Sequence, residues 1–106
     1  MVYHSSGLGW FSYFLIMVRR VELKIYGRVQ GVFFRESARN IALKLGLFGY
    51  VCNEPDGKVK IIIEGEEGLL YTFLGWARSG PEFAQVDKLE EEWSEATGEF
   101  NNFIIR

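Results

Sequence analysis

Residues 21–45 read VELKIYGRVQGVFFRESARNIALKL, and a change of period inside this stretch decides the fold class. Val21, Leu23 and Ile25 alternate with Glu22, Lys24 and Tyr26. Alternation of this kind predicts a strand with one buried face. Further on, Phe34, Ala38, Ile41, Ala42 and Leu45 fall at i, i+4, i+7, i+8 and i+11, the stripe of an amphipathic helix. Gly46 predicts its C-terminal stop. Between strand and helix lies a short loop with glycines at Gly27 and Gly31.

Working outward, residues 47–53 read as a second strand and residues 58–64 as a third, with Val59, Ile61 and Ile63 on one face. Glu54-Pro55-Asp56-Gly57 joins them into a hairpin: Pro presets φ, Asp bonds locally and Gly accepts a positive φ. A second helix is predicted over residues 66–79, with Leu70, Phe73, Leu74 and Ala77 on its stripe and Gly80-Pro81 ending it. Residues 85–94 predict a fourth strand in which Val86 and Leu89 break simple alternation, a sign of a bulge. Residues 101–106 predict a short fifth strand through Phe103 and Ile105. The order β-α-β-β-α-β plus a short strand predicts an α+β, ferredoxin-like split βαβ fold, with both helices on one face of an antiparallel sheet. That fold serves many functions and names none.

The composition narrows the chemistry. A chain of 106 residues with 48% hydrophobic content suits one folded domain. Its formal charge of −2 lacks the basic excess of a general nucleic-acid binder. Cys52 and His4 are the only residues of their kinds, so neither an internal disulfide nor a Cys- or His-rich metal site is expected. A Ser-His-Asp or Cys-His mechanism would have to use His4. Any catalysis is left to Arg, Lys, Asn, carboxylates, Tyr or backbone N–H groups, and no cofactor is expected.

The first 15 residues carry no Lys, Arg, Asp or Glu. The apolar stretch from Trp10 to Val18 is shorter than the roughly 20 residues that span a bilayer, and Arg19 and Arg20 follow it where a signal peptide would have them precede it. Residues 1–17 are therefore read as an N-terminal extension, with Met17 as an alternative start, and residues 18–106 as the working domain. The extension packing on the domain or on a second copy is the next reading, and membrane contact the last. The default compartment is cytoplasmic. Elsewhere Tyr26, Phe33 and Phe34 are read as loop packing and core, Trp76 and Trp93 as packing aromatics, Cys52 as a packed thiol, Asp56 as a turn residue, and Glu90, Glu91 and Glu92 as a solvated strand face.

The loop Gly27-Arg28-Val29-Gln30-Gly31-Val32-Phe33-Phe34-Arg35 is the candidate site. Free N–H groups at a helix start, helped by the helix dipole, suit an anion, and glycines let the backbone approach one. The loop matches neither the GxxxxGK[ST] nor the GxGxxG pattern. On the loop alone, a plain turn and an anion site both stand. Arg35, in the first helical turn, adds a permanently charged fork that fits two phosphate oxygens; a solvated surface Arg is the alternative.

The run from Gly27 to Arg35 resembles the acylphosphatase signature G-x-V-Q-G-V-x-F-R. Gly49-Tyr50-Val51-Cys52-Asn53-Glu54-Pro55-Asp56-Gly57 is similar to that family's second element, G-x-V-x-N-x-x-D-G. The resemblance covers residues 18–106. It implies hydrolysis of an acyl phosphate to a carboxylate and inorganic phosphate, without metal. It further implies a backbone cradle at Gln30, Gly31, Val32, Phe33 and Phe34, phosphate binding by Arg35, and water positioning by Asn53. Neither nucleic acid nor membrane is an expected partner. The rival readings are a non-catalytic phosphate- or RNA-binding module and a carbamoyl-phosphate-handling domain like those inside larger maturation enzymes. The RNA reading lacks its aromatic element, since residues 58–64 contain no aromatic.

Overall fold

Burial follows the two periods read from the sequence. In the computed structural model the described residues are 17–106, and the readings made on residues 1–16 lie outside them. The elements are β1 (Val18–Arg28), α1 (Phe34–Lys44), β2 (Phe48–Asn53), β3 (Val59–Glu66), α2 (Glu67–Ala77), β4 (Gln85–Glu95) and β5 (Phe103–Ile105). Val21, Leu23 and Ile25 of β1 and Val59, Ile61 and Ile63 of β3 are fully buried and share one core with Phe34, Ala38 and Ala42 of α1 and Leu70, Phe73, Leu74 and Ala77 of α2. Both helices thus cover one face of the sheet, as the α+β ferredoxin-like expectation required.

The strand order is β4-β1-β3-β2-β5. The four long strands pair antiparallel. The fifth does not: β5 pairs parallel with β2, Ile105 opposite Val51. The sheet is therefore mixed at one edge and not wholly antiparallel. The reason is directional. The chain reverses after β4 and crosses to the far edge, so β5 runs opposite to β4, which is the direction of β2.

Local chemistry explains the element ends. The helix α1 closes in a Schellman motif: Leu47 N donates to the Ala42 carbonyl at 2.9 Å and Gly46 N to that of Leu43 at 3.2 Å, with Gly46 at φ 70. The second helix follows β3 without a loop. The Glu66 carboxylate caps it by accepting from Gly68 N at 2.8 Å. The expected bulge falls between β1 and β4, where Tyr26 faces Lys88 but Gly27 faces Val86, which leaves Asp87 as the extra residue.

Glu90, Glu91 and Glu92 are all exposed, as read, although Glu91 lies on the helix side of the sheet, where it takes a bond from Trp93 Nε1 at 2.8 Å and pairs with Arg78 at 3.2 Å. Two minor readings change. Phe34 is core, yet Phe33 is 66% exposed and packs on nothing that buries it. Tyr26 stands on the outer face, donating its hydroxyl to Glu90 at 3.0 Å.

That outer face also holds Glu64, which is 4% exposed. Its Oε2 accepts from Arg20 Nη1, Thr97 N and Thr97 Oγ1, each at 2.9 Å, and its Oε1 accepts from Gly98 N at 3.1 Å. This carboxylate, together with Arg20 through Glu99 at 2.7 Å and Gly49 N through the Asn102 carbonyl at 2.8 Å, fastens residues 96–102, the crossing from β4 to β5, to the sheet.

Candidate active site

The loop after β1 is shaped by what it buries. Val29, Val32 and Phe34 are 1%, 9% and 1% exposed, so their side chains anchor the loop in the core. The peptide groups between them are left at the surface. Gly31 at φ 75 and Phe33 at φ 66 both have positive φ, which turns the chain twice within three residues, a backbone of the kind able to gather N–H groups around an anion. Phe33 is the N-cap of α1 and gives no side-chain cap. The first helical bond runs from Ser37 N to the Phe33 carbonyl at 3.1 Å. The N–H groups of Phe34, Arg35 and Glu36 are thus the uncommitted donors of a helix start.

A pocket of about 370 Å³ opens here, lined by Val29, Gly31, Phe33, Phe34, Arg35, Glu36 and Ile105. Of the expected site residues, Gly31, Phe33, Phe34 and Arg35 come together in its wall. Arg35 is half-buried. Among the described residues no carboxylate pairs with it, while Arg19 and Arg78 each have one and Arg20 has two. Its charge is available to a ligand.

Gln30, Val32 and Asn53 do not line the pocket. Gln30 does something the sequence reading missed. Its amide Nε2 donates to the Glu54 carbonyl at 2.8 Å and the Lys58 carbonyl at 3.0 Å, the two ends of the β2–β3 turn. The turn itself is tied by Glu54 N to the Lys58 carbonyl at 2.9 Å and by Lys58 N to Asp56 Oδ1 at 3.2 Å. Gln30 therefore clamps the loop to the hairpin that presents Asn53. A lone Gln in a loop gives no sign of this, because both acceptors are backbone atoms more than 20 residues away.

Asn53 ends β2 on the same face as Val51, two residues back, and opposite Val51 stands the pocket residue Ile105. The Asn53 Oδ1 is buried and has no hydrogen-bond partner. A buried amide oxygen that no protein group partners is free to accept from a water or a ligand. Cys52, next along the strand, points to the other face. Burial, then its bond to Glu54, pushes its thiol pKa up, the behaviour of a packed thiol. Among the described residues no cluster of three His, Cys, Asp or Glu side chains is placed to hold a metal, and no helix is long and apolar enough to cross a membrane.

Fold and pocket together describe a small ferredoxin-like domain with its cleft where the first strand hands over to the first helix. Comparison with known proteins narrows that class. A model of the acylphosphatase family matches residues 21–105. An acylphosphatase of Thermococcus kodakarensis is 48% identical over 79 residues, covering 74% of this chain and 87% of that protein. The crystal structure of acylphosphatase from Bacillus subtilis matches with a TM-score of 0.80 at 33% identity, over 83% of this chain and 98% of that one. Full-length HypF in its phosphate- and nucleotide-bound form matches with a TM-score of 0.74 at 29% identity, over 84% of this chain but only 12% of its own length. The chain belongs to the acylphosphatase family, a family of enzymes.

Proposed function

We propose that residues 18–106 form a metal-free hydrolase in which Arg35 and the N–H groups of Gln30 to Phe34 hold the phosphate of an acyl phosphate while Asn53 places the attacking water. The observation that carries this reading is the Arg35 guanidinium, set in the pocket wall beside the curled loop with no carboxylate partner among the described residues. The orphan Oδ1 of Asn53 supports it: an amide is no base, but it accepts from and donates to a water and so fixes its position.

The reaction asks little more of the protein. Water oxygen attacks phosphorus, the bond from phosphorus to the acyl oxygen breaks, and the carboxylate leaves with that electron pair. The water proton passes to an oxygen of the substrate's own phosphate, since neither Arg35 nor Asn53 accepts one. Fixed donors aimed at the phosphoryl oxygens stabilise charge where it gathers and need no rearrangement during the step. Residues 1–17 serve as an extension outside this machinery, and the enzyme works in the cytoplasm.

Hydrolysis of benzoyl phosphate in EDTA tests the reading. The parent chain turns over. Asn53→Ala loses about 10²–10³ in kcat while its stability stays within about 1 kcal/mol of the parent, because the Oδ1 it removes has no partner in the protein. Arg35→Gln loses more and also raises KM, since binding and charge stabilisation go together. A folded parent without turnover overturns the enzyme reading; phosphate binding by that inactive parent identifies a binding module.

A further inference from the structure

We infer that the exposed ring of Phe33 is the contact that selects the acyl half of the substrate, and that this chain prefers acyl phosphates carrying an aromatic or other bulky apolar group. The inference rests on the acyl phosphate reading of the pocket and deepens it.

Two features of Phe33 run against folding. Its φ of 66 is a conformation that residues with a Cβ disfavour, bulky ones most. The residue is 66% exposed, so packing returns little for the backbone position or for the wetted apolar surface. The neighbours Val32 and Phe34 anchor the loop from within the core. Folding alone would favour glycine at this position, which adopts a positive φ freely and exposes no ring.

The ring stands instead in the pocket wall. The charged lining residues are Arg35 and Glu36, whereas Val29, Phe33, Phe34 and Ile105 make an apolar side. A phosphate takes the guanidinium and the N–H groups. The rest of an acyl phosphate, which seeks no strong hydrogen bond, faces the apolar side. The volume of about 370 Å³ falls in the range of roughly 300–1,000 Å³ typical of pockets that take a whole small molecule. Phe33 is the exposed member of that apolar side, so it is the one free to close over an acyl group.

The test compares kcat/KM for benzoyl phosphate and acetyl phosphate in the parent, Phe33→Ala and Phe33→Gly. Both variants remove the ring, but Ala keeps the disfavoured backbone position and Gly relieves it. Any change in the backbone cradle moves both substrates together and cancels in their ratio. The benzoyl-to-acetyl ratio is expected to fall about tenfold in both variants, the size of a lost apolar contact in a specificity pocket. An unchanged ratio in either variant, with or without an equal loss on both substrates, overturns the inference and leaves the hydrolase reading intact. A folded parent that turns over neither substrate removes both.

Discussion

Glu64→Gln is the substitution whose effect the structure lets one work out most fully. The carboxylate is 4% exposed and receives four donors, three at Oε2 and one at Oε1. A carboxamide of the same shape has one accepting oxygen. If that oxygen takes the Oε2 position, the amide NH₂ faces Gly98 N, and one backbone donor loses its partner at about 1–3 kcal/mol. The three remaining bonds lose their charge assistance, which roughly halves each. Arg20 keeps Glu99 at 2.7 Å, so its own charge is not left unpaired. The loss sums to about 3 kcal/mol at neutral pH. With a urea m-value of about 1.5 kcal/mol/M, the unfolding midpoint falls by about 2 M. The pH dependence sharpens the test. Burial pushes the Glu64 carboxyl up, but the N–H groups of Thr97 and Gly98, the Thr97 hydroxyl and Arg20 together outweigh it and hold it below its ordinary pKa. Ionised Glu64 therefore stabilises the fold fully above the unfolded carboxylate's pKa, and that contribution is lost as pH falls through the lower folded value. The gap between parent and variant should be full at neutral pH and narrower in acid, as pH falls through the lowered folded value and the parent carboxyl also becomes neutral. Tryptophan fluorescence in urea at neutral and at acid pH measures it. A neutral-pH gap under about 0.5 kcal/mol, or a gap of the same size at both pH values, would refute the account of Glu64 as a charged clasp.

Gln30→Ala should lower kcat/KM by about 10² while costing only about 1–2 kcal/mol of stability, because it cuts the two bonds that set the loop against the Asn53 hairpin. Steady-state kinetics and a urea curve on one preparation decide it; an activity loss no larger than the unfolded fraction would deny Gln30 a positioning role. Two glycines should respond with opposite sign. At Gly49, with φ 143, an added Cβ runs into the Ile62 carbonyl, and Gly49→Ala should cost about 3 kcal/mol or more. At Gly75, inside α2, an added Cβ meets nothing within 4 Å, and Gly75→Ala should gain about 0.5–1 kcal/mol. Thermal unfolding should place the midpoints roughly 15 °C below and about 4 °C above the parent.

Much of this protein is written in short-range pattern. A period of two marks β1 and β3, a period of 3.6 marks α1, and Gly46 and the Glu54–Gly57 turn end their elements by backbone chemistry that neighbours settle among themselves. Arg35 and the loop glycines were visible for the same reason: a cation in the first turn of a helix and a flexible strand–helix junction are local facts. The two motifs add the family, because each is a contiguous run. Glu64 was not legible, since nothing in Ile63-Glu64-Gly65 says that residues 96–102 will fold over it. The Gln30 clamp depends on the hairpin's carbonyls arriving beside the loop, and the exposure of Phe33 depends on Val32 and Phe34 both turning inward. The parallel pairing of β5 and the entry of Ile105 into the pocket wall follow from where the crossing lands. Local pattern is enough for the elements, their order and the chemical groups at the strand–helix junction, because these rest on contacts a few residues apart. Which of those groups meet is a matter of the folded chain, because it depends on segments brought together from distant parts of the sequence.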